Sequence, residues 1–384
     1  MVATLRRGES LRSVARRFHV SVSTAKRWLD RAHGKRLDRV KFSDRSRAPR
    51  HVHNRSSTKM EKLVLSIRQQ LHDTSDLGEF GAAAILRELK ARRLQHLPSR
   101  RTIGYILQRH GATDYRRRQR RPPPAPGWYL PNVAAGLAEI DEFDFIVGLL
   151  TGDGTEVEVL NVTSLHGGLV GSWPESGFTA ERALAAMLEH WRRFGLPDYA
   201  QFDNDNRFAG PHQHADAVGR VIRACLSLGV VAVFAPPREH GLQNAIEGYN
   251  GKWQAKVWAR FEFQRLAQVQ RQSSKYIEAH RARSRVRTDS APERRRFPKQ
   301  WKFKAEEKIS GGRIIFMRRS SDQGRVEVLG HKYEVDPHWC NRLVRCEVDI
   351  GAKEIHFYGL RRSEPASQRL LRKVAYQLPP RYIR

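Results

Sequence analysis

Apolar positions recur at helical spacing through the first 112 residues and at strand spacing beyond residue 135. Leu11, Val14, Ala15 and Phe18 form one stripe and Ala25, Trp28 and Leu29 another. His19-Val20 breaks the pattern between them, and Ser21 or Ser23 is placed to cap the second helix. Two short helices around a tight connection are therefore predicted between residues 9 and 31, with little helix ahead of Leu11. Met60, Leu63, Val64, Ile67 and Leu71, then Ile85, Leu86 and Leu89, then Ile103, Ile106 and Leu107 predict three more helices, the last ending at Gly111.

After residue 135 the order reads strand, strand, strand, helix, strand, helix, strand, helix. The strands are expected at 137–147, 155–163, 168–173, 199–203 and 230–235, the helices at 179–194, 215–228 and 243–259. A mixed sheet with helices on its faces follows from that alternation. A basic helix over 266–286 leads to five short alternating strands between 314 and 360, the pattern of a small all-β barrel, and a tail after Arg361 reads as frayed or as a binding arm.

Between these segments the composition shifts. Residues 36–57 are basic, Ser-rich and poor in large apolar side chains, and the run from Arg116 to Arg121 enters the stiff spacer Pro122-Pro123-Pro124-Ala125-Pro126. The expected organisation is a helix-turn-helix domain at 1–35, a linker at 36–57 and a second helical, helix-turn-helix-like domain at 58–112. An Arg/Pro-rich linker at 113–134, an α/β core at 135–262 and a basic helix with linker at 263–305 follow, then a β-barrel at 306–362 and a basic tail at 363–384.

Charge narrows the partner. Seventy Lys and Arg against forty Asp and Glu, a net charge of +30, gather polyanions, and a phosphate backbone is the commonest. A merely soluble basic protein would share that charge, so the carboxylates have to decide. Three scattered cysteines, Cys225, Cys340 and Cys346, make neither a disulfide framework nor a zinc site, and the histidines at 166, 212 and 214 lack cysteine partners at zinc spacing. No apolar run of transmembrane length and no signal-peptide core is present. These features predict a soluble cytoplasmic protein with no membrane partner.

Against the basic background stand Asp141 in Glu139-Ile140-Asp141-Glu142-Phe143-Asp144, Asp203 in Phe202-Asp203-Asn204-Asp205-Asn206, and Glu247 in Gln243-Asn244-Ala245-Ile246-Glu247. Strand ends and the first turns of following helices converge on one edge of an open sheet, so the three can share one cluster. Clustered carboxylates stay ionised only around a cation, and oxygen ligands favour Mg²⁺ or Mn²⁺. Asp144 is the alternative first acid: an odd number of residues from Asp141, it points to the opposite face of a regular strand. Asn204, Asn250 and Gln254 are expected to line the site, the last two from the same helical face as Glu247.

The element order and these motifs resemble the DDE transposases of bacterial insertion sequences, whose catalytic core is RNase H-like, as in retroviral integrases. Phe202-Asp203-Asn204 resembles the family's Asp-Asn-Gly, and Gln243-Asn244-Ala245-Ile246-Glu247-Gly248-Tyr249-Asn250 its third-acid motif. The likeness is strong over 135–260, and the flanking modules extend it to nearly the whole chain. Asp205 stands where the family has Gly, Ala138 where it commonly has Trp, and the step from Asp203 to Glu247 is longer than usual; Glu239 sits at the shorter spacing but in a loop without the motif.

The resemblance implies a nucleoid-associated bacterial enzyme that holds two metal ions through Asp141, Asp203 and Glu247. It would hydrolyse the terminal phosphodiesters of a mobile element and join the 3′-hydroxyl ends to target DNA as a homo-oligomer on paired ends, with an accessory ATPase as a candidate partner. Ser23, Thr24, Lys26, Arg27, Arg100, Arg101, Arg117, Arg118, Lys252 and Lys256 are the expected contacts to double-stranded DNA. A domesticated, non-cutting DNA-binding regulator of the same fold is the alternative.

Overall fold

The structure is a computed structural model that describes residues 1–43, 55–94, 96–113, 127–210, 214–237 and 241–379. The chain divides into two compact units, Met1–Met60 and Glu61–Arg384. In the first, α1 (Val2–Arg6), α2 (Leu11–Arg17) and α3 (Val22–Ala32) close around Leu5, Val14, Ala15 and Ala25. Ser21 caps α3 by accepting from the Thr24 amide, and His19 takes a positive φ of 51° in the turn that precedes it. The short α1, unexpected from sequence, buries Val2 and Leu5.

The second unit takes in most of α4 (Thr58–Thr74), then α5 (Ala82–Ala91) and α6 (Arg100–Arg109), the last capped by Ser99. After α7 (Pro131–Ala134) come β1 (Ile140–Leu150), β2 (Glu156–Ser164) and β3 (Val170–Glu175), an antiparallel meander. Then follow α8 (Ala180–Phe194), β4 (Tyr199–Phe202), α9 (Asn206–Ala209), α10 (Arg220–Ser227), β5 (Val231–Phe234), α11 (Asn244–Lys256) and α12 (Leu266–Asp289). β4 and β5 run parallel to β1, so a mixed sheet carries α8 and α10 on one face and α11 and α12 on the other. Phe143, Phe202 and Trp191 fill the first face; Ile146, Val159, Ile246 and Trp253 fill the second.

The expected separate barrel is corrected. β6 (Arg313–Arg319) pairs in parallel with β5, and β9 (Leu343–Asp349), β10 (Glu354–Leu360) and β11 (Arg369–Ala375) extend the same sheet to nine strands in the order β11-β10-β9-β6-β5-β4-β1-β2-β3. Among the described residues only β7 (Arg325–Val328) and β8 (His331–Glu334) stand apart, as a hairpin. The edge of β5 is covered by β6, which leaves no unpaired backbone row there. Part of the expected tail is β11 itself.

Candidate active site

Two acids on β1 point in opposite directions, and the register with β4 says which meets Asp203. Ile140, Asp141 and Glu142 lie opposite Tyr199, Ala200 and Gln201, and Asp203 follows directly on β4, so the side of β1 that carries Asp144 is the one on which the charge of Asp203 is felt. On the other side Asp144 lies opposite Asn161 of β2. Asn250 of α11 ties this row together: it donates to Asp144 Oδ2 at 2.7 Å and accepts from Asn161 Nδ2 at 2.7 Å.

Burial and the neighbouring charges of Asp203 and Glu247 push the Asp144 carboxyl up to about 6. Burial likewise raises Asp203, whose Oδ1 accepts from the Asp205 amide at 3.1 Å. Asp205, unusual for the motif, caps α9 and grips Arg207, which also pairs with Glu158 and lies over the Phe145 ring. Glu247 is exposed in the first turn of α11. Among the described residues no group of three His, Cys, Asp or Glu side chains is close enough to hold a metal ion. Asp144 and Asp203 nonetheless fit a hard divalent cation in donor chemistry: both are oxygen acids whose environment raises their affinity for positive charge.

Asp141, preferred from sequence as the first acid, belongs to the opposite face. It is fully buried, takes two hydrogen bonds from Arg294 at 2.9 and 2.6 Å, and a third from Trp191 Nε1 at 3.0 Å. Burial alone would raise its pKa, but the Arg294 guanidinium holds it below the usual carboxylate range. A carboxylate so occupied is an internal ion pair, and the structure does not bring it to Asp203 or Glu247.

Glu142 escaped the sequence reading. It accepts from the Ile246 amide at 2.9 Å, capping α11 from across the sheet, and burial with the nearby charge of Glu247 pushes it up to about 8. Its only sequence signal is the density of acids in Glu139-Ile140-Asp141-Glu142-Phe143-Asp144, too many for a buried strand without special roles. Below it, Tyr129 and Gln201 both donate to the Leu242 carbonyl, fixing the entry to α11.

The remaining expected residues scatter. Asn204 donates to the Ala235 carbonyl, and Gln254 is exposed. Lys252 is exposed, whereas Lys256 donates to the Gly78 carbonyl at 2.9 Å and lies 5.5 Å from the Phe80 ring, so its charge serves an internal contact. Ser23, Lys26 and Arg27 are exposed along α3 and Thr24 is half-buried; Arg100 and Arg101 are exposed at the start of α6. Arg117 and Arg118 lie outside the described residues, as do His212 and Glu239. His166 holds the Val133 carbonyl, as a loop residue. Among the described residues no helix is long and apolar enough to cross a membrane.

No protein-family model matches this chain, and no curated protein does. Among solved structures 134 chains match. They include the catalytic core domain of BIV integrase, 16% identical over 36% of this chain and 80% of that one, with a TM-score of 0.27. A chain of the simian T-cell lymphotropic virus intasome in complex with PP2A regulatory subunit B56 gamma is 13% identical over 72% and 91%, with a TM-score of 0.35. The HTLV-2 integrase catalytic core domain in complex with magnesium is 13% identical over 37% and 83%, with a TM-score of 0.26.

Proposed function

We propose that the chain is a DDE-type DNA transposase whose RNase H-like, integrase-like core cuts and joins phosphodiesters, with Asp144, Asp203 and Glu247 as its acids. The observation that carries this reading is that Asp144 feels the charges of both Asp203 and Glu247 and is held by Asn250 of the helix that bears Glu247. Asp144 and Asp203 would hold Mg²⁺ or Mn²⁺, with Glu247 reaching in from α11. A bound pair of such ions activates an attacking oxygen and stabilises the leaving one.

The chain's own side chains do the positioning. Asn250 fixes the orientation of Asp144, and Glu142 fixes the start of α11 and with it Glu247. Direct displacement by water and then by a 3′-hydroxyl needs no covalent enzyme intermediate, and none of the three acids is required as a nucleophile. The exposed faces of α3 and α6, with Ser23, Thr24, Lys26, Arg27, Arg100 and Arg101, are the proposed readers of element ends, and the net charge of +30 favours double-stranded DNA as partner. Joining two ends calls for a homo-oligomer; an accessory ATPase remains part of the same proposal.

The test is Mn²⁺- or Mg²⁺-dependent strand transfer on a labelled duplex carrying the element's terminal sequence. Joined products that vanish in Asp203→Ala and Glu247→Ala support the reading. Specific DNA binding without metal-dependent chemistry, alike in all three proteins, favours the non-cutting regulator.

A further inference from the structure

Behind the catalytic helix, on the side of α11 away from Asn250, lies a cavity of about 500 Å³ bounded by α11, α12, the end of β2 and the loop after α4. Its walls are strongly cationic. Lys252, Lys256, Arg283 and Arg287 line it with His280, against the single carboxylate of Glu79. Three polar groups there are uncommitted. Tyr276 is 2% exposed, yet among the described residues its hydroxyl makes no hydrogen bond. Lys252 makes no ion pair or hydrogen bond among the described residues, and His280 has only a long 3.4 Å contact from Nδ1 to Ser284.

The Tyr276 hydroxyl is free to donate into the cavity, and cations crowded around a cavity repel one another unless an anion enters. The crowding is visible in His280, which burial, Lys252 and Arg283 hold down at about 4. It is also visible in Glu79, whose carboxylate is drawn onto Arg283 and Arg87. Glu79 acts there as an internal anion, but it satisfies neither Lys252 nor Tyr276.

We propose that this cavity is a phosphate-binding site, separate from the acidic row, in which Lys252, His280, Arg283 and the Tyr276 hydroxyl receive a phosphoryl group. The phosphate comes either from a nucleic-acid strand passing behind α11 or from a free nucleotide or inorganic phosphate. Only the first source rests on the proposed function; the site itself does not.

The experiment uses the full-length protein without divalent metal, and measures binding of inorganic phosphate and, separately, of a labelled DNA duplex. The His280 ring resonances report occupancy. Phosphate is expected to move them and to raise the His280 pKa, since an anion stabilises the imidazolium. Lys252→Ala and Tyr276→Phe are each expected to weaken phosphate binding about tenfold, while Glu79→Gln, which removes the internal competitor, tightens it severalfold. Tyr276→Phe keeps the ring and its packing, so a lost signal there is not a lost fold. A parallel loss of duplex affinity assigns the site to a strand phosphate; unchanged duplex affinity assigns it to a free phosphate. No phosphate-dependent shift of His280, or equal phosphate affinity in wild type and both weakening variants, overturns the proposal, and neither result bears on strand transfer.

Discussion

Asn250 donates to Asp144 Oδ2 at 2.7 Å, joining the third turn-forming residue after Glu247 to a strand 106 positions earlier. Because the same amide accepts from Asn161, its orientation is fixed from two strands at once. Asn250→Ala is expected to lower the rate of strand joining and the Mn²⁺ affinity by about 10–100-fold, the usual range for a residue that orients a metal ligand. Asn250→Asp, which sets a fourth carboxylate against Asp144, is expected to be no better. Initial rates over a Mn²⁺ titration check both.

The elevated pKa of Asp144 has a definite sign. Its folded value of about 6 exceeds the unfolded 3.8, so between these values the folded state binds more protons and stability falls as pH rises. At neutral pH the metal-free protein therefore carries a destabilising charge. Urea unfolding across this window is expected to show that slope in the parent and a shallower one in Asp144→Asn, where Asp203 and Glu142 still contribute, and the variant should unfold at equal or higher urea at pH 7. Divalent metal should reverse the trend, since its affinity grows as the carboxyl ionises.

Breaking the Asp141–Arg294 pair should destabilise the fold without removing a catalytic acid. Asp141 is fully buried, and Arg294→Met leaves it charged with Trp191 as its remaining hydrogen-bond donor. A loss of about 3–5 kcal/mol is expected in denaturant unfolding, the range for a buried pair deprived of one partner.

Glu142, pushed up to about 8, is protonated at neutral pH, so Glu142→Gln replaces one neutral acceptor by another. Little change in melting temperature is expected. Glu142→Ala strands the Ile246 amide at the start of α11 and should cost about 1–3 kcal/mol, read in the same thermal melts.

How much of this was legible follows from the range of each contact. The order of strands and helices between β1 and α11 shows in local periodicity, and the elements lie within a few residues of expectation. Which of Asp141 and Asp144 faces α11 does not show locally. Their odd spacing announces opposite faces, but the deciding partners, Asn250 and Arg294, lie 106 and 153 residues away. The barrel failed for a similar reason: short alternating strands look alike whether they close on themselves or join an open edge, and β6 chooses β5. Lys256 looked like a DNA contact because its acceptor, the Gly78 carbonyl, is a backbone group that no sequence pattern marks.

The central claim is that Asp144, not Asp141, completes the acidic row with Asp203 and Glu247. Its most direct test is Mn²⁺-dependent strand transfer by Asp144→Asn beside Asp141→Asn, each first shown by circular dichroism and melting to be folded at the assay temperature. Asp144→Asn is expected to be folded and inactive, and Asp141→Asn, though less stable, to join strands at temperatures where it remains folded. Strand transfer by Asp144→Asn at the parental rate would contradict it.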